Sequence, residues 1–220
     1  MLKRIASYFI PINIYKETSK ISNSLEVTWN NGELVLDSKN ANYSYGSLKR
    51  ALIKGLKYIG YNRIKKFNSV LVLGVAGGSV IKTLRDEIGY NHKIIGVEID
   101  KSVIDIANKY FKLNHVKNLN IIIDDAFSYV LKTKDTYDLV IIDVFKDTDM
   151  PSFLFEDFFI EKLKQIINVN GFILFNTMVL NDKDITRNHI YRKKFNDDFS
   201  LRLYPKIEAH NEIFTIKRLR

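Results

Sequence analysis

Short apolar runs recur through the middle of the chain, and a segment with helical spacing follows each of them. Four of these runs are rich in Val, Leu and Ile: Ser69–Val75, Lys93–Asp100, Leu119–Asp124 and Tyr137–Asp143. Continuous apolar runs of this length are typical of strands that are buried on both faces, as in parallel sheets. The pattern therefore predicts an α/β fold, with a mostly parallel sheet and helices on both of its faces.

The segments between the runs carry apolar residues at intervals of three and four. They predict helices over Ser79–Gly89, Lys101–Phe111, Ala126–Lys132 and Phe153–Asn168, and a fifth strand that starts at Gly171. Near the end of the chain, residues 201–207 and 212–219 predict two strands that pair antiparallel at one edge of the sheet. Residues 180–198 are polar and receive no assignment.

The N-terminal part of the chain has a different pattern. Leu25–Asp37 alternates apolar and polar residues around Asn31 and Gly32, a pair that suits a type I′ hairpin turn because both central positions need a positive φ. Helical spacing begins at Ser47. We therefore expect a small β-rich region over residues 1–46, which contains the hairpin, followed by an α/β domain over residues 47–220.

Composition and charge narrow the functional classes. The 220 residues suffice for one ordinary domain, and the net charge of +9 comes from dispersed Lys and Arg, so nucleic acid stays a minor alternative as a partner. The chain has no cysteine, and its four histidines lack the paired spacing of a zinc site, so no metal is expected. The apolar start is interrupted by Pro11 and Lys16, and no stretch is as long as a membrane span. We expect a cytoplasmic chain that binds no membrane.

A run of small residues joins the first predicted parallel strand to the helix after it. Gly74 to Gly78 lie between this strand and Ser79, where the backbone can turn sharply and approach a ligand. Such a turn also occurs in proteins that bind no ligand there, so evidence for a ligand must come from the residues at the neighbouring strand ends. Glu98 ends the second strand, and an acid there can accept hydrogen bonds from both hydroxyls of a ribose.

Acidic residues also end the third and fourth strands. Asp124, Asp125 and Ala126 follow the third strand, where a carboxylate can accept the amino proton of an adenine. Asp143 ends the fourth strand, at the edge of the sheet where open α/β folds bind ligands. For Asp100 and Asp124 we favour helix or turn capping instead. Four such features at successive strand ends predict a nucleoside site.

Between about Leu25 and Thr177 the chain resembles the spermidine synthase family of polyamine aminopropyltransferases, and still more its methyltransferase-like relatives. The motifs that carry the resemblance are the hairpin with Trp29 and Gly32, NYSYGSL, LGVAGGS, GVEID, the DDA triplet, YDLVIIDVF and LFEDFF. The resemblance implies a Rossmann-like S-adenosylmethionine-dependent methyltransferase fold. It also implies that Glu98 binds ribose and that Asp143 deprotonates an attacking amine. The donor-binding residues it implies are Gly74, Ala76 and Gly78 on the sulfonium side, and Asp125 with Ala126 at the adenine.

Three motifs depart from the pattern of the family. Gly77 stands where the glycine loop of the family has an aspartate that helps to hold the aminopropyl donor. The Tyr-His-Glu stretch of the family is reduced to Tyr45, and Asp147 is displaced by one residue, with Lys146 before it. Tyr45 and Asp147 are the residues that we expect to bind the acceptor. Lys146 would repel a dicationic polyamine. The acceptor groove is therefore the part of the site that differs most from a polyamine site.

These departures leave three hypotheses. The leading one is a transferase that moves a methyl group from S-adenosylmethionine, or a close analogue, to an unidentified small-molecule acceptor. The first alternative is a spermidine synthase, which transfers an aminopropyl group from decarboxylated S-adenosylmethionine to putrescine. The second alternative is a nucleoside-binding protein without catalytic activity. The resemblance also implies a homodimer, because members of the family commonly pair.

Overall fold

The computed structural model describes residues 2–37, 47–145, 149–208 and 210–220. The main sheet has seven strands: Ser69–Leu73 (β4), Lys93–Glu98 (β5), Leu119–Ile123 (β6), Tyr137–Ile142 (β7), Ile167–Met178 (β8), Phe199–Glu208 (β9) and Asn211–Arg218 (β10). Their order across the sheet is β6-β5-β4-β7-β8-β10-β9. The first five strands in this order are parallel, and β10 pairs antiparallel with both β8 and β9.

Helices cover both faces of this sheet, because its strands carry apolar side chains on both faces. The helices are α2 (Ser47–Ile59), α3 (Tyr61–Ile64), α4 (Ser79–Lys82), α5 (Lys101–Phe111), α6 (Ala126–Lys132), α7 (Asp157–Ile166) and α8 (Asp182–Lys193). One face of the sheet packs on α2, α4 and α5, and the other packs on α6, α7 and α8. Residues 70–73 of the central strand β4 have no exposed surface, as expected for a parallel strand between two helical layers. The predicted fold class is confirmed.

A second sheet has three antiparallel strands and precedes the main one. It consists of β1 (Ile12–Glu17), β2 (Leu25–Asn30) and β3 (Glu33–Asp37), with a short helix α1 (Leu2–Ala6) before it. Asn31 and Gly32 have φ angles of 48° and 78°, so the predicted hairpin turn is confirmed. Leu25, Val27 and Leu36 are fully buried, and they pack with apolar residues of α5. The hairpin is therefore attached to the main sheet through α5.

Two predicted boundaries differ from the structure. The helix predicted over Phe153–Asn168 is a 3-10 turn at Ser152–Phe155 followed by α7, because Glu156 is extended with a ψ of 145°. The helix predicted over Ser79–Gly89 is α4 followed by a π-helical turn at Thr83–Glu87. The unassigned polar region contains α8, whose first N–H groups bond to the side chain of Asn181. The boundary predicted at residue 46 lies outside the described residues.

In the described part of the chain, no helix combines the length and the apolar character needed to cross a bilayer.

Candidate functional site

The connectivity of the sheet creates a crevice at the carboxyl ends of β4 and β7. From β4 the chain moves outward through β5 to β6, and it then returns to place β7 on the other side of β4. The connections on the two sides diverge there, and open α/β sheets bind ligands at such a switch point. Gly74 follows β4 and Asp143 follows β7, so the small-residue turn and this acid meet at the crevice.

Gly74 approaches the backbone of Asp143 more closely than any residue with a side chain could. Its φ is +84°, and a Cβ atom on Gly74 would lie 2.2 Å from the carbonyl oxygen of Asp143. The Gly74 N–H donates to the carbonyl of Val97 at 3.0 Å, and the Asp143 N–H donates to that of Leu73 at 2.9 Å. The ends of three neighbouring strands are thereby tied together at the glycine turn.

Glu98 holds the glycine turn from the end of β5. Its Oε2 accepts hydrogen bonds from the N–H groups of Val75 at 3.1 Å and Ala76 at 3.0 Å. Its Oε1 accepts from those of Ile99 at 2.9 Å and Asp100 at 3.1 Å. A carboxylate offers about four acceptor sites, so backbone groups use all of them. Burial raises the pKa of the Glu98 carboxyl, and these four hydrogen bonds oppose that effect. Glu98 is thus at the predicted place, and it organises the turn there.

Asp124 and Asp125, which follow β6, each accept a hydrogen bond from a nearby backbone N–H group. Asp124 Oδ1 accepts the N–H of Asp125 at 2.8 Å, and Asp125 Oδ1 accepts the N–H of Ser128 at 3.0 Å, as the N-cap of α6. Capping by Asp124 agrees with the prediction for that residue. Capping by Asp125 was not predicted, and it occupies only one of the two carboxylate oxygens. The next residue, Ala126, is buried and starts α6.

Asp100 also caps a helix, as predicted, and it has a second role that the sequence did not reveal. Its Oδ1 accepts the N–H of Ser102 at 2.9 Å, which caps α5. Its Oδ2 accepts hydrogen bonds from the hydroxyls of Ser19 and Ser22. The loop between β1 and β2 is therefore attached to the main sheet two residues after Glu98.

Asp143 is half-buried, and its carboxylate is held from a strand that it does not belong to. Asn176 Nδ2, on β8, donates to Asp143 Oδ1 at 2.9 Å. Burial raises the pKa of Asp143 to about 6, the nearby charge of Glu98 adds to this rise, and the hydrogen bond from Asn176 opposes it. A carboxylate with such a pKa is ionised at neutral pH and is a better proton acceptor than one with an ordinary pKa.

Sequence analysis missed Asn176 and its neighbour Asn211. The available signal was a polar side chain in the apolar run of β8, where a buried amide must find partners. Of the residues predicted at the site, Tyr45 and Asp147 lie outside the described residues, as do Gly46 and Lys146. Gly78 directly precedes α4, so the turn from Gly74 to Gly78 leads into the first turn of that helix.

Comparison with known proteins shows the family of the chain. Residues 54–205 match the family described as the Spermine/spermidine synthase domain. The chain belongs to this family. A polyamine aminopropyltransferase of the family from Prochlorococcus marinus is 34% identical over 118 residues, which cover 50% of this chain and 41% of that relative. The resemblance inferred from the motifs is confirmed, although the matched segment spans less than half of the relative.

Solved structures with the same fold come from two kinds of protein. Spermidine synthase from Thermotoga maritima superposes with a TM-score of 0.71 and 21% identity, over 94% of this chain and 72% of that one. Human methyltransferase-like protein 13, in complex with SAH, superposes with a TM-score of 0.65 and 22% identity, over 80% of this chain and 83% of that one. At these identities the likeness concerns the fold, which the family shares with methyltransferases.

Proposed function

We propose that this chain transfers an aminopropyl group from decarboxylated S-adenosylmethionine to a short amine, with Asp143 as the general base. The observation that carries the proposal is the position of Asp143, whose backbone touches the glycine turn at the switch point of a sheet of the spermine/spermidine synthase family. Aminopropyl transfer was the first alternative from the sequence. Family membership now favours it over methyl transfer, which was the leading hypothesis from the sequence.

The reaction requires one bond to form and one to break. The nitrogen of the neutral amine attacks the aminopropyl carbon next to the sulfonium, the carbon–sulfur bond breaks, and its electron pair returns to sulfur. Methylthioadenosine leaves as a neutral thioether. The attacking nitrogen must lose one proton, which the Asp143 carboxylate accepts. The raised pKa of about 6 suits Asp143 to this role, because the carboxylate is ionised at neutral pH and is more basic than a carboxylate with an ordinary pKa.

The donor would lie along the carboxyl ends of β4, β5 and β6. We assign the adenine to Asp125, whose second oxygen accepts no hydrogen bond among the described residues, with Ala126 beside it. We assign the sulfonium to the side of Gly74, Ala76 and Gly78. Four backbone N–H groups already use the acceptor sites of Glu98. To bind Glu98, the ribose hydroxyls must share these acceptor sites with the N–H groups or displace them.

A second candidate is methyl transfer from S-adenosylmethionine itself, and the residue at position 77 favours it. Gly77 has no side chain, so the turn carries no carboxylate that would attract the free ammonium of a decarboxylated tail or repel the carboxylate of an intact one. The turn therefore lacks the charge that would select the decarboxylated donor over S-adenosylmethionine. Tyr45 and Asp147 remain our proposal for the acceptor side under both candidates.

One incubation series separates the candidates. Decarboxylated S-adenosylmethionine and S-adenosylmethionine are each supplied with putrescine, and products are identified by mass spectrometry, with Asp143→Asn as the matched inactive control. Spermidine with methylthioadenosine supports the proposal. S-Adenosylhomocysteine supports methyl transfer instead. Calorimetric binding of either donor without any product excludes putrescine as the acceptor, and absence of binding by both donors and by methylthioadenosine refutes all three hypotheses.

A further inference from the structure

Two buried asparagines connect Asp143 to the far side of the sheet. Asn176 follows four buried apolar residues of β8 and has no exposed surface, and Asn211 at the start of β10 is 4% exposed. An amide that is buried without hydrogen bonds costs several kcal/mol, so such a pair is retained only where its partners are fixed. The partners of these two amides are each other and the carboxylate of Asp143.

The hydrogen bonds run in one direction, from Asn211 to Asp143. Asn211 Nδ2 donates to Asn176 Oδ1 at 3.1 Å, and Asn176 Nδ2 donates to Asp143 Oδ1 at 2.9 Å. The first bond orients the amide of Asn176, because it marks the oxygen as the acceptor and turns the NH₂ group toward the carboxylate. The antiparallel strand β10, which carries none of the predicted site residues, thus determines how the carboxylate at the end of β7 is held.

We infer that Asn176, oriented by Asn211, is a positioning residue that aims the second oxygen of Asp143 at the reacting amine. This inference rests on the proposed function of Asp143 as the base. With Oδ1 engaged by the amide, Oδ2 is the oxygen that can receive the proton. The donated hydrogen bond also favours the ionised form of Asp143, which is the form that a base requires.

The chain contains a matched control for this pair. Asn188 on α8 is 2% exposed, and its Nδ2 donates to Thr177 Oγ1 at 3.0 Å and to Glu212 Oε2 at 2.9 Å. Thr177 is the next residue after Asn176 on β8, so its side chain points to the opposite face of the sheet. Asn188 is buried like Asn176 and contacts the residue next to it, but it lies on the other face of the sheet and forms no hydrogen bond with Asp143.

The test replaces each asparagine by leucine, which has a similar shape and adds no titrating group. The titration of Asp143 is followed by carbon-13 NMR of its carboxyl, assigned with Asp143→Asn, and the pH dependence of kcat/KM is measured alongside. The charged group that faces Asp143 from the described residues is Glu98, which is unchanged in all variants. We expect Asn176→Leu to raise the titration midpoint by about one pH unit. We also expect it to lower kcat about tenfold, with little change in KM for the donor.

Asn188→Leu should leave the midpoint of Asp143 unchanged. Asn211→Leu should move it in the same direction as Asn176→Leu but by less, and it provides the test if Asn176→Leu does not fold. An unchanged midpoint in Asn176→Leu and Asn211→Leu, or an equal shift in Asn188→Leu, overturns the inference. A wild-type chain that binds donor but forms no product contradicts the proposed function instead, and the NMR titration still decides whether Asn176 controls Asp143.

Discussion

The Cα of Gly74 and the carbonyl of Asp143 lie so close that a methyl group on Gly74 would come within 2.2 Å of that oxygen. The turn after β4 and the end of β7 are therefore in direct contact at the switch point of the sheet. A substrate carbon held at the glycine turn would be next to the proposed base. Because the contact is between backbone atoms, the distance between the glycine turn and the backbone of Asp143 is determined by the sheet itself.

Gly74→Ala should remove this contact at a high cost in stability. The substitution combines a positive φ, which costs about 1 kcal/mol for a residue with a Cβ, with a clash against a backbone atom that cannot rotate away. We expect the free energy of unfolding, measured with urea, to fall by more than about 3 kcal/mol. Gly89→Ala is the control, since Gly89 has a φ of +74° and its Cβ would meet only the flexible end of the Lys65 side chain, at 3.5 Å. Equal losses in the two variants would show that the contact is not rigid.

Glu98→Gln should weaken the glycine turn and donor binding together. The glutamine keeps one acceptor oxygen but turns an NH₂ group toward two backbone N–H donors, which lose their partner. We expect the free energy of unfolding to fall by about 2 kcal/mol. Because Glu98 is also the proposed ribose acceptor, calorimetry should show methylthioadenosine binding about tenfold more weakly. The exposed Glu33, replaced in the same way, should alter neither quantity, and an effect of Glu98→Gln on stability alone would argue against ribose binding.

Asp143→Asn should abolish transfer and at the same time stabilise the fold above pH 6. The pKa of Asp143 is about 6 in the folded chain and 3.8 ordinarily. Between these values the folded state holds a proton that the unfolded state has lost, so stability falls as the pH rises through this window. The asparagine variant avoids that cost, which is at most about 3 kcal/mol at pH 8, at about 1.4 kcal/mol per pKa unit, and which the partial exposure of Asp143 reduces. Urea unfolding of both proteins at pH 3.5 and pH 8 measures it.

The difference between the two proteins should be small at pH 3.5, where Asp143 is protonated in the folded state and mostly protonated in the unfolded state. A constant difference at the two pH values would indicate that burial of the charge is not its cause. For the wild type, the same pKa predicts that kcat/KM rises with pH through about 6, as the carboxylate loses its proton. Asp105→Asn, at an exposed site on α5, should show neither effect.

Ser19→Ala should release the loop between β1 and β2 without unfolding the main sheet. The Ser19 hydroxyl donates to Asp100 and accepts the N–H groups of Ile21 and Ser22, whereas the cap of α5 uses the other oxygen of Asp100. Hydrogen exchange followed by mass spectrometry should show faster exchange in residues 18–24 and unchanged exchange in α5. Faster exchange in α5 as well would mean that the serine supports the helix cap and not only the loop.

The sequence alone determined most elements of the main sheet and the order of the candidate site. Apolar runs and turn chemistry are local properties, so the parallel strands, α5 and the turn at Asn31 and Gly32 could be predicted from neighbouring residues. The strand ends at Glu98, Asp125 and Asp143 followed from the same reasoning, because the carboxyl ends of parallel strands share one edge of the sheet. The break at Glu156 escaped prediction because the apolar spacing continues through it.

Only the tertiary structure decided what each acid contacts. Glu98 bonds to N–H groups more than twenty residues before it, and Asp143 is held by an asparagine that is itself held from β10. These partners depend on the order in which the strands lie side by side, and residues far apart in the chain become neighbours through that order. No local pattern carries this information, because a buried asparagine or glutamate looks the same in sequence whichever partner it finds.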